Sequence, residues 1–261
     1  MNVLSLFDGM SCGQIALERA GVQVDNYYAS ELDKYAIKVT QANYPNTIQL
    51  GDVTQWREWS IDWSSIGLLI GGSPCQGFSF AGKQLAFDDP RSKLFFVYVD
   101  ILNHIRAHNP GVKFLLENVR MKQESLDIVS HVLKTDAVFI NSSLVSAQDR
   151  RRFYWASWDF NIPEDIGASL YSILDEKPPC CVKVREKSKC LRVGGRGSVD
   201  RHEWDSISNC HYRKLTPIEC ERLQTVSDNY TAHVSNTQRY KMLGNGWTVD
   251  VIAHIFRSMP R

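Results

Sequence analysis

Apolar side chains fall in short blocks along the chain, and their spacing alternates between strand and helix periods. Residues 2–7 alternate and then fill with apolar side chains, which predicts a first strand. A glycine-containing turn, Asp8-Gly9-Met10-Ser11-Cys12-Gly13, follows, and residues 14–20 read as a helix closed by Gly21. Residues 26–30 predict a second strand ending at Glu31, and Gly51-Asp52-Val53 follows another candidate strand. Leu68-Leu69-Ile70 is a buried-strand pattern closed by Gly71-Gly72-Ser73-Pro74. Residues 94–102 predict a largely buried helix, and residues 113–116 predict a strand leading into Glu117-Asn118-Val119. Residues 138–146 are strand-like, and Phe153-Tyr154-Trp155-Ala156 is a further apolar block. Strands interleaved with helices indicate an open α/β sheet, mixed and mostly parallel.

The character changes over residues 159–212. Apolar periodicity weakens, Pro163, Pro178 and Pro179 appear, and lysines and arginines accumulate. The expected organisation is a main body at 1–158, a small turn-rich basic lobe at 159–212, and a segment at 213–261 returning to the body. In that last segment Thr216 is placed to cap a helix, with Pro217 in its first position and Glu219 completing a capping box. Residues 240–247 read as another glycine turn, and residues 248–256 as a helix that packs back on the sheet.

Composition narrows the setting. The 261 residues are 43% hydrophobic and 23% charged, enough for a sizeable core, and the net charge of +1 neither requires nor excludes a nucleic-acid partner. No apolar stretch approaches a membrane span, and the first residues lack the basic start of a signal peptide. Seven irregularly spaced cysteines suggest no disulfide framework and favour a reducing cytoplasm. Cys180, Cys181, Cys190, Cys210 and His211 invite a zinc reading, but no Cys-x-x-Cys pair supports it, and no metal is expected.

Candidate chemistry gathers at the predicted strand ends, where open α/β sheets place their sites. Cys75 follows Pro74 directly after one such strand; an isolated cysteine there is more often a buried packing residue. Glu31 stands about 20 residues beyond the first glycine turn, where an acid commonly holds ribose hydroxyls. No phosphate-cradling lysine accompanies the turn, so an adenosyl ligand without a pyrophosphate fits better. Glu117 ends an apolar strand as Cys75 does, although a helix cap is an equally ordinary use. Arg150-Arg151-Arg152, lying between two strands, points to an anionic ligand. Arg192 and Arg196 in the basic lobe suit bidentate contact with guanine.

The ordered set Phe7-Asp8-Gly9, Glu31, Gly51-Asp52-Val53, Pro74-Cys75-Gln76, Glu117-Asn118-Val119, Gln148-x-Arg150-x-Arg152, Arg213-Lys214-Leu215-Thr216-Pro217 and Gly244-Asn245 resembles the DNA cytosine-5 methyltransferases. The resemblance covers the chain except residues 159–212. Phe7-Asp8-Gly9 and Gly246-Trp247-Thr248-Val249 are similar to the de novo branch. Gly82-Lys83-Gln84 and Arg213-Lys214-Leu215 look more like bacterial and phage restriction-modification enzymes. With no large regulatory region attached, the expectation is a cytoplasmic enzyme of a prokaryote or a phage-infected host.

The resemblance implies a Rossmann-like S-adenosylmethionine-dependent methyltransferase fold with a small inserted target-recognition lobe, acting as a monomer on duplex DNA. It assigns Cys75 as the nucleophile adding to cytosine C6, Glu117 to N3 of the ring, Arg152 to the base carbonyl, Arg150 to a flanking phosphate, and Asn118 to positioning the loop. Phe7, Gly9, Met10, Cys12, Glu31, Leu32, Asp52, Val53, Pro74, Leu94, Asn245, Gly246 and Trp247 would hold the methyl donor. Gln76, Ser79, Lys83, Arg150, Arg192 and Arg196 would meet DNA. Two other readings share the motifs: a tRNA cytosine-5 methyltransferase, and a silent DNA-binding homologue, although the latter would be expected to lack Cys75 or Glu117. A nicotinamide-dependent dehydrogenase would need Gly-x-Gly-x-x-Gly after the first strand, which Gly9-Met10-Ser11-Cys12-Gly13 does not supply.

Overall fold

The computed structural model describes residues 1–73, 93–177, 184–192 and 215–261. Five parallel strands form the body of the sheet: β1 (Asn2–Leu6), β2 (Tyr27–Ser30), β3 (Ile48–Gln49), β4 (Ile66–Gly71) and β5 (Lys113–Val119). β6 (Val138–Asn141) and β7 (Arg151–Ala156) add an antiparallel edge, giving the order β3-β2-β1-β4-β5-β7-β6. This is the mixed, mostly parallel α/β sheet that the hydrophobic pattern predicts.

Both faces are covered, as parallel strands require. On one face Val3, Leu68, Ile70 and Leu115 meet α1 (Cys12–Arg19), α2 (Lys34–Asn43) and the C-terminal helix α8 (Val249–Arg257). On the other, Leu4, Leu6, Leu69 and Leu116 meet α3 (Lys93–His108) and α4 (Gln123–Leu133). Gly13 lets α1 lie against the sheet, because a Cβ there would stand 2.5 Å from Ile70 Cδ1 and 2.7 Å from Tyr27 Oη. Arg19 ties α1 to α8 through Asp250 at 2.8 Å.

Three expected boundaries change. The fifth strand does not stop before Glu117: pairing with β7 carries it to Val119, so Glu117 and Asn118 are strand residues. The stretch 138–146 is a strand only to Asn141, whose side chain accepts from Ser143 N–H and starts a short 3-10 turn. Residues 240–245, read as a glycine turn, belong to helix α7 (Asn236–Asn245), which ends at Gly246. Helix α6 (Pro217–Leu223) forms where its capping box predicts: Thr216 Oγ1 accepts from Glu219 N–H, and the Glu219 carboxylate accepts from Thr216 N–H at 2.8 Å. A short helix, α5 (Leu170–Ile173), lies between β7 and α6 in the chain.

Candidate active site

The strand order reverses between β1 and β4. From β1 the chain turns to α1 on one face, and the helix that comes after β4 in the chain, α3, packs on the other face. A crevice therefore opens beyond the carboxyl ends of these two neighbours. It is a cleft of about 640 Å³, within the size range of small-molecule sites.

One end of the cleft is acidic, with Asp8, Glu31, Asp33 and Asp52 on its walls. Phe7, Gly9 and Ser11 take left-handed backbone conformations, which fold the β1–α1 turn back on itself. That turn sets Gly9 N–H on Glu31 Oε2 at 2.7 Å, while Glu31 Oε1 accepts from Leu32 and Asp33 N–H at 2.7 and 2.8 Å. Three of the roughly four acceptor positions of Glu31 are thereby used, leaving room for a hydroxyl donor. Since Gly9 N–H is already engaged by a carboxylate, the turn is not a phosphate nest. Asp52 caps a 3-10 turn through Thr54 N–H at 2.8 Å. Four carboxylates suit a cationic ligand with hydroxyls and repel phosphates. S-adenosylmethionine has that character.

Asp8 is quoted in the sequence motif without a role, yet it lines this wall. Its carboxylate accepts from Ser11 Oγ and, at 2.7 Å, from Tyr27 Oη. Burial pushes its pKa up to about 6 against the pull of those hydrogen bonds, with Glu31 nearby adding to the rise. Only tertiary burial reveals this. The Cys12 thiol also faces the cleft, and burial pushes it up to about 12, which makes it an inert wall rather than a second nucleophile.

The other end holds Glu117 and Arg152. β5 and β7 pair with Glu117 opposite Tyr154 and Val119 opposite Arg152, so Glu117 and Arg152 are diagonal neighbours across the two strands. Arg152 Nε lies 2.8 Å from Glu117 Oε1, and the carboxylate is only 8% exposed. Burial opposes the charge on Arg152, but Glu117 outweighs it and holds the guanidinium protonated above its ordinary range. Asn118, on the opposite side of the strand, donates to Ser73 Oγ at 3.2 Å and to Ser73 O at 3.4 Å. It thus holds the chain two residues before Cys75.

Arg150 is the main correction. It is 3% exposed, and its guanidinium donates to the carbonyls of Leu191, Gly244 and Gly246 at 3.3, 3.3 and 2.8 Å. Burial lowers its pKa without removing its charge. Both of its terminal nitrogens are spent on interior carbonyls, so the task these contacts show is to hold the Gly244–Gly246 segment rather than a flanking phosphate. Arg151 pairs with Asp149 at 3.0 Å at the surface, so the three arginines do not form one anion site. Gln148, fully buried, bonds Leu223 O at 3.2 Å and accepts from Leu191 N–H at 2.8 Å. It staples Leu191, in the basic region, to α6, and the sequence motif gave no signal of that task.

Of the expected cofactor residues, Phe7, Gly9, Cys12, Glu31, Asp52 and Val53 share the cleft wall, as do Leu94, Asn245, Gly246 and Trp247. Leu32 lies at the mouth and is 69% exposed. Met10 is set behind the wall, because its carbonyl accepts from Tyr230 Oη at 2.8 Å and its side chain packs under Gly246. Arg192 is exposed. Pro74, Cys75, Gln76, Ser79, Lys83 and Arg196 lie outside the described residues, as do Cys180, Cys181, Cys210 and His211. Among the described residues no three His, Cys, Asp or Glu side chains are grouped to hold a metal ion, and no helix is long and apolar enough to cross a membrane.

The family described as C-5 cytosine-specific DNA methylase matches residues 1–157 and 134–261. Type II methyltransferase M1.ScrFI of Lactococcus lactis subsp. cremoris is 30% identical over 98% of this chain and 77% of its own length. Type II methyltransferase M.NlaX of Neisseria lactamica is 30% identical over 98% of this chain and 95% of its own. A solved structure of a putative DNA modification methyltransferase from an Escherichia coli prophage shares the fold, with a TM-score of 0.69 at 18% identity, over 99% of this chain and 98% of that one. With the family match spanning the sheet, the acidic cleft and the Glu117–Arg152 pair, the chain belongs to the C-5 cytosine-specific DNA methylase family.

Proposed function

We propose that the protein transfers a methyl group from S-adenosylmethionine to C5 of a cytosine flipped out of duplex DNA, through a covalent bond between Cys75 and C6. The observation that carries this reading is the joining of three groups at the ends of β4 and β5: Glu117 paired with Arg152, Asn118 on Ser73, and the acidic cleft beside them. Cytosine C5 is a weak nucleophile while the ring is aromatic. Addition of the Cys75 thiolate to C6 breaks that aromaticity and gives C5 the character of an enamine carbon. Glu117, carrying a proton that it shares with N3, delivers it there as the charge builds, and Arg152, held by Glu117, meets the base carbonyl. Asp52 and Glu31 hold the adenosine part of the donor, and Asp8 lies beside its cationic end. When bound, S-adenosylmethionine supplies an electrophilic methyl group. Loss of the C5 proton then lets the Cys75–C6 bond break and restores the ring. Extrusion of the base costs a few kcal/mol, offset by contacts from Gln76, Ser79, Lys83 and the basic region at 159–212. The bacterial Type II relatives favour a cytoplasmic setting, and the reading takes the protein to act on duplex DNA as a monomer.

DNA carrying 5-fluorocytosine tests the covalent step, because fluorine cannot leave C5 as a cation. The protein should form an adduct that survives denaturing electrophoresis, mapped by peptide mass to Cys75. Cys75→Ala should form none while still binding DNA. A crosslink at Cys12 would move the site, and near wild-type methylation by Cys75→Ala would reject the mechanism.

A further inference from the structure

Trp247 stands between the two halves of the site. Its ring lines the cleft beside the acidic wall, and its Nε1–H donates to Glu117 Oε2 at 3.2 Å. Glu117 Oε1 meanwhile takes Arg152 at 2.8 Å. A free carboxylate turns easily about its last torsion, which is broad and two-fold. Donors on both oxygens, one from β7 and one from the C-terminal segment, set the plane of this one. The place of the indole is itself imposed. Gly246 approaches Met10 and Cys12 so closely that a Cβ would stand 3.0 and 3.4 Å from their side chains, and its carbonyl is held by Arg150 and Gln224. Gly72, at the end of β4, completes the contact: a Cβ there would lie 2.9 Å from Trp247 Nε1 and 3.0 Å from Glu117 Oε2. The strand end leading to Cys75, the cofactor wall and the catalytic acid thus meet at one point.

We infer that Trp247 is a positioning residue for Glu117: its ring N–H orients the carboxylate toward the base, so that one side chain serves both the donor wall and base activation. This rests on the proposed function. Each carboxylate oxygen has two acceptor positions, so Oε2 can keep the indole while it meets the cytosine ring. Trp247→Phe keeps an aromatic wall, smaller by one fused ring, and removes the donor. Its affinity for S-adenosylhomocysteine, measured by calorimetry, and its KM for DNA should be unchanged, and kcat should fall roughly tenfold or more, the usual scale for one hydrogen bond to a charged group. Tritium release from DNA labelled at C5 of the target, followed with S-adenosylhomocysteine present, needs addition at C6 but no methyl transfer. That release should slow in parallel with kcat. Gly72→Ala, whose Cβ presses on both the indole Nε1 and Glu117 Oε2, should break the same contact and lower kcat as well.

Wild-type kcat and tritium release in Trp247→Phe would overturn the inference, as would a loss of activity explained wholly by weaker S-adenosylhomocysteine binding. Wild-type protein that shows neither methylation nor tritium release would instead sink the proposed function, and this inference with it.

Discussion

Asp8 carries a charge that its surroundings resist. Burial raises it from the ordinary 3.8 to about 6, despite Ser11 and Tyr27. A carboxyl raised in the folded state binds its proton more tightly there than in the unfolded chain. Its contribution to stability is therefore fully present below about pH 3.8 and is lost as pH rises through about 6. Asp8→Asn should remove that cost, since an amide can accept from Tyr27 and donate to Ser11. The variant should melt higher than wild type at pH 7.5, by at most about 3 kcal/mol, with the difference vanishing toward pH 4. Binding of cationic S-adenosylmethionine should weaken in the same variant, because the charge it answers is gone. A lower melting temperature at pH 7.5 would show that the carboxylate is better tolerated than its burial implies.

Between elements, Arg150 does what a local cap does elsewhere. The last carbonyls of a helix have no partner within it. At the end of α7 they are served from other parts of the fold: Gln224 donates to Leu243 O at 2.6 Å, and Arg150 donates to Gly244 O and Gly246 O. Gly244 is a poor helix residue by propensity, and these side chains make its place in α7 tolerable. Arg150→Met should leave the buried Gly244 carbonyl without its donor, while Gly246 O keeps Gln224, costing about 1–3 kcal/mol in denaturant unfolding. It should also loosen the Gly246–Trp247 segment, so S-adenosylhomocysteine affinity should fall with stability. An unchanged unfolding midpoint would mean that water replaces the guanidinium there.

For the whole molecule, the described residues 184–192 of the basic region are joined to the body by main-chain and lysine contacts. Ser188 bonds across to Ala147 and Asp149 at 2.7 and 2.8 Å, and Lys187 reaches Ser143 O at 2.6 Å. Arg192 follows these anchors directly and is exposed. If the region reads DNA under the proposed function, its size suits a short site, with each base pair contributing roughly 1–3 kcal/mol. Arg192→Ala should relax one position of the methylated sequence, while a phosphate contact would weaken binding evenly and flatten the salt dependence. Methylome sequencing separates the two, and an unchanged, strictly defined site would remove Arg192 from base recognition.

Local chemistry decided much by itself. The apolar period located the buried strands, though not the start of β7 at Arg151, the Thr216–Glu219 box started its helix, and the ordered motifs pointed to the family, because each depends on neighbours a few residues away or on residue type alone. Strand-end position marked Glu31, Asp52 and Glu117 as acids at the sheet's carboxyl edge. It could not give Glu117 its partners, since Arg152 comes by antiparallel pairing and Trp247 from a segment 130 residues further on. Nor could it separate Arg150 from Arg152. The two are alike in sequence, and only the path of β7 sends one into the interior among carbonyls and the other onto a carboxylate. Burial, which raises Asp8 and silences Cys12, is likewise a property of the closed fold, because desolvation depends on every element packed around a group and on no single one of them.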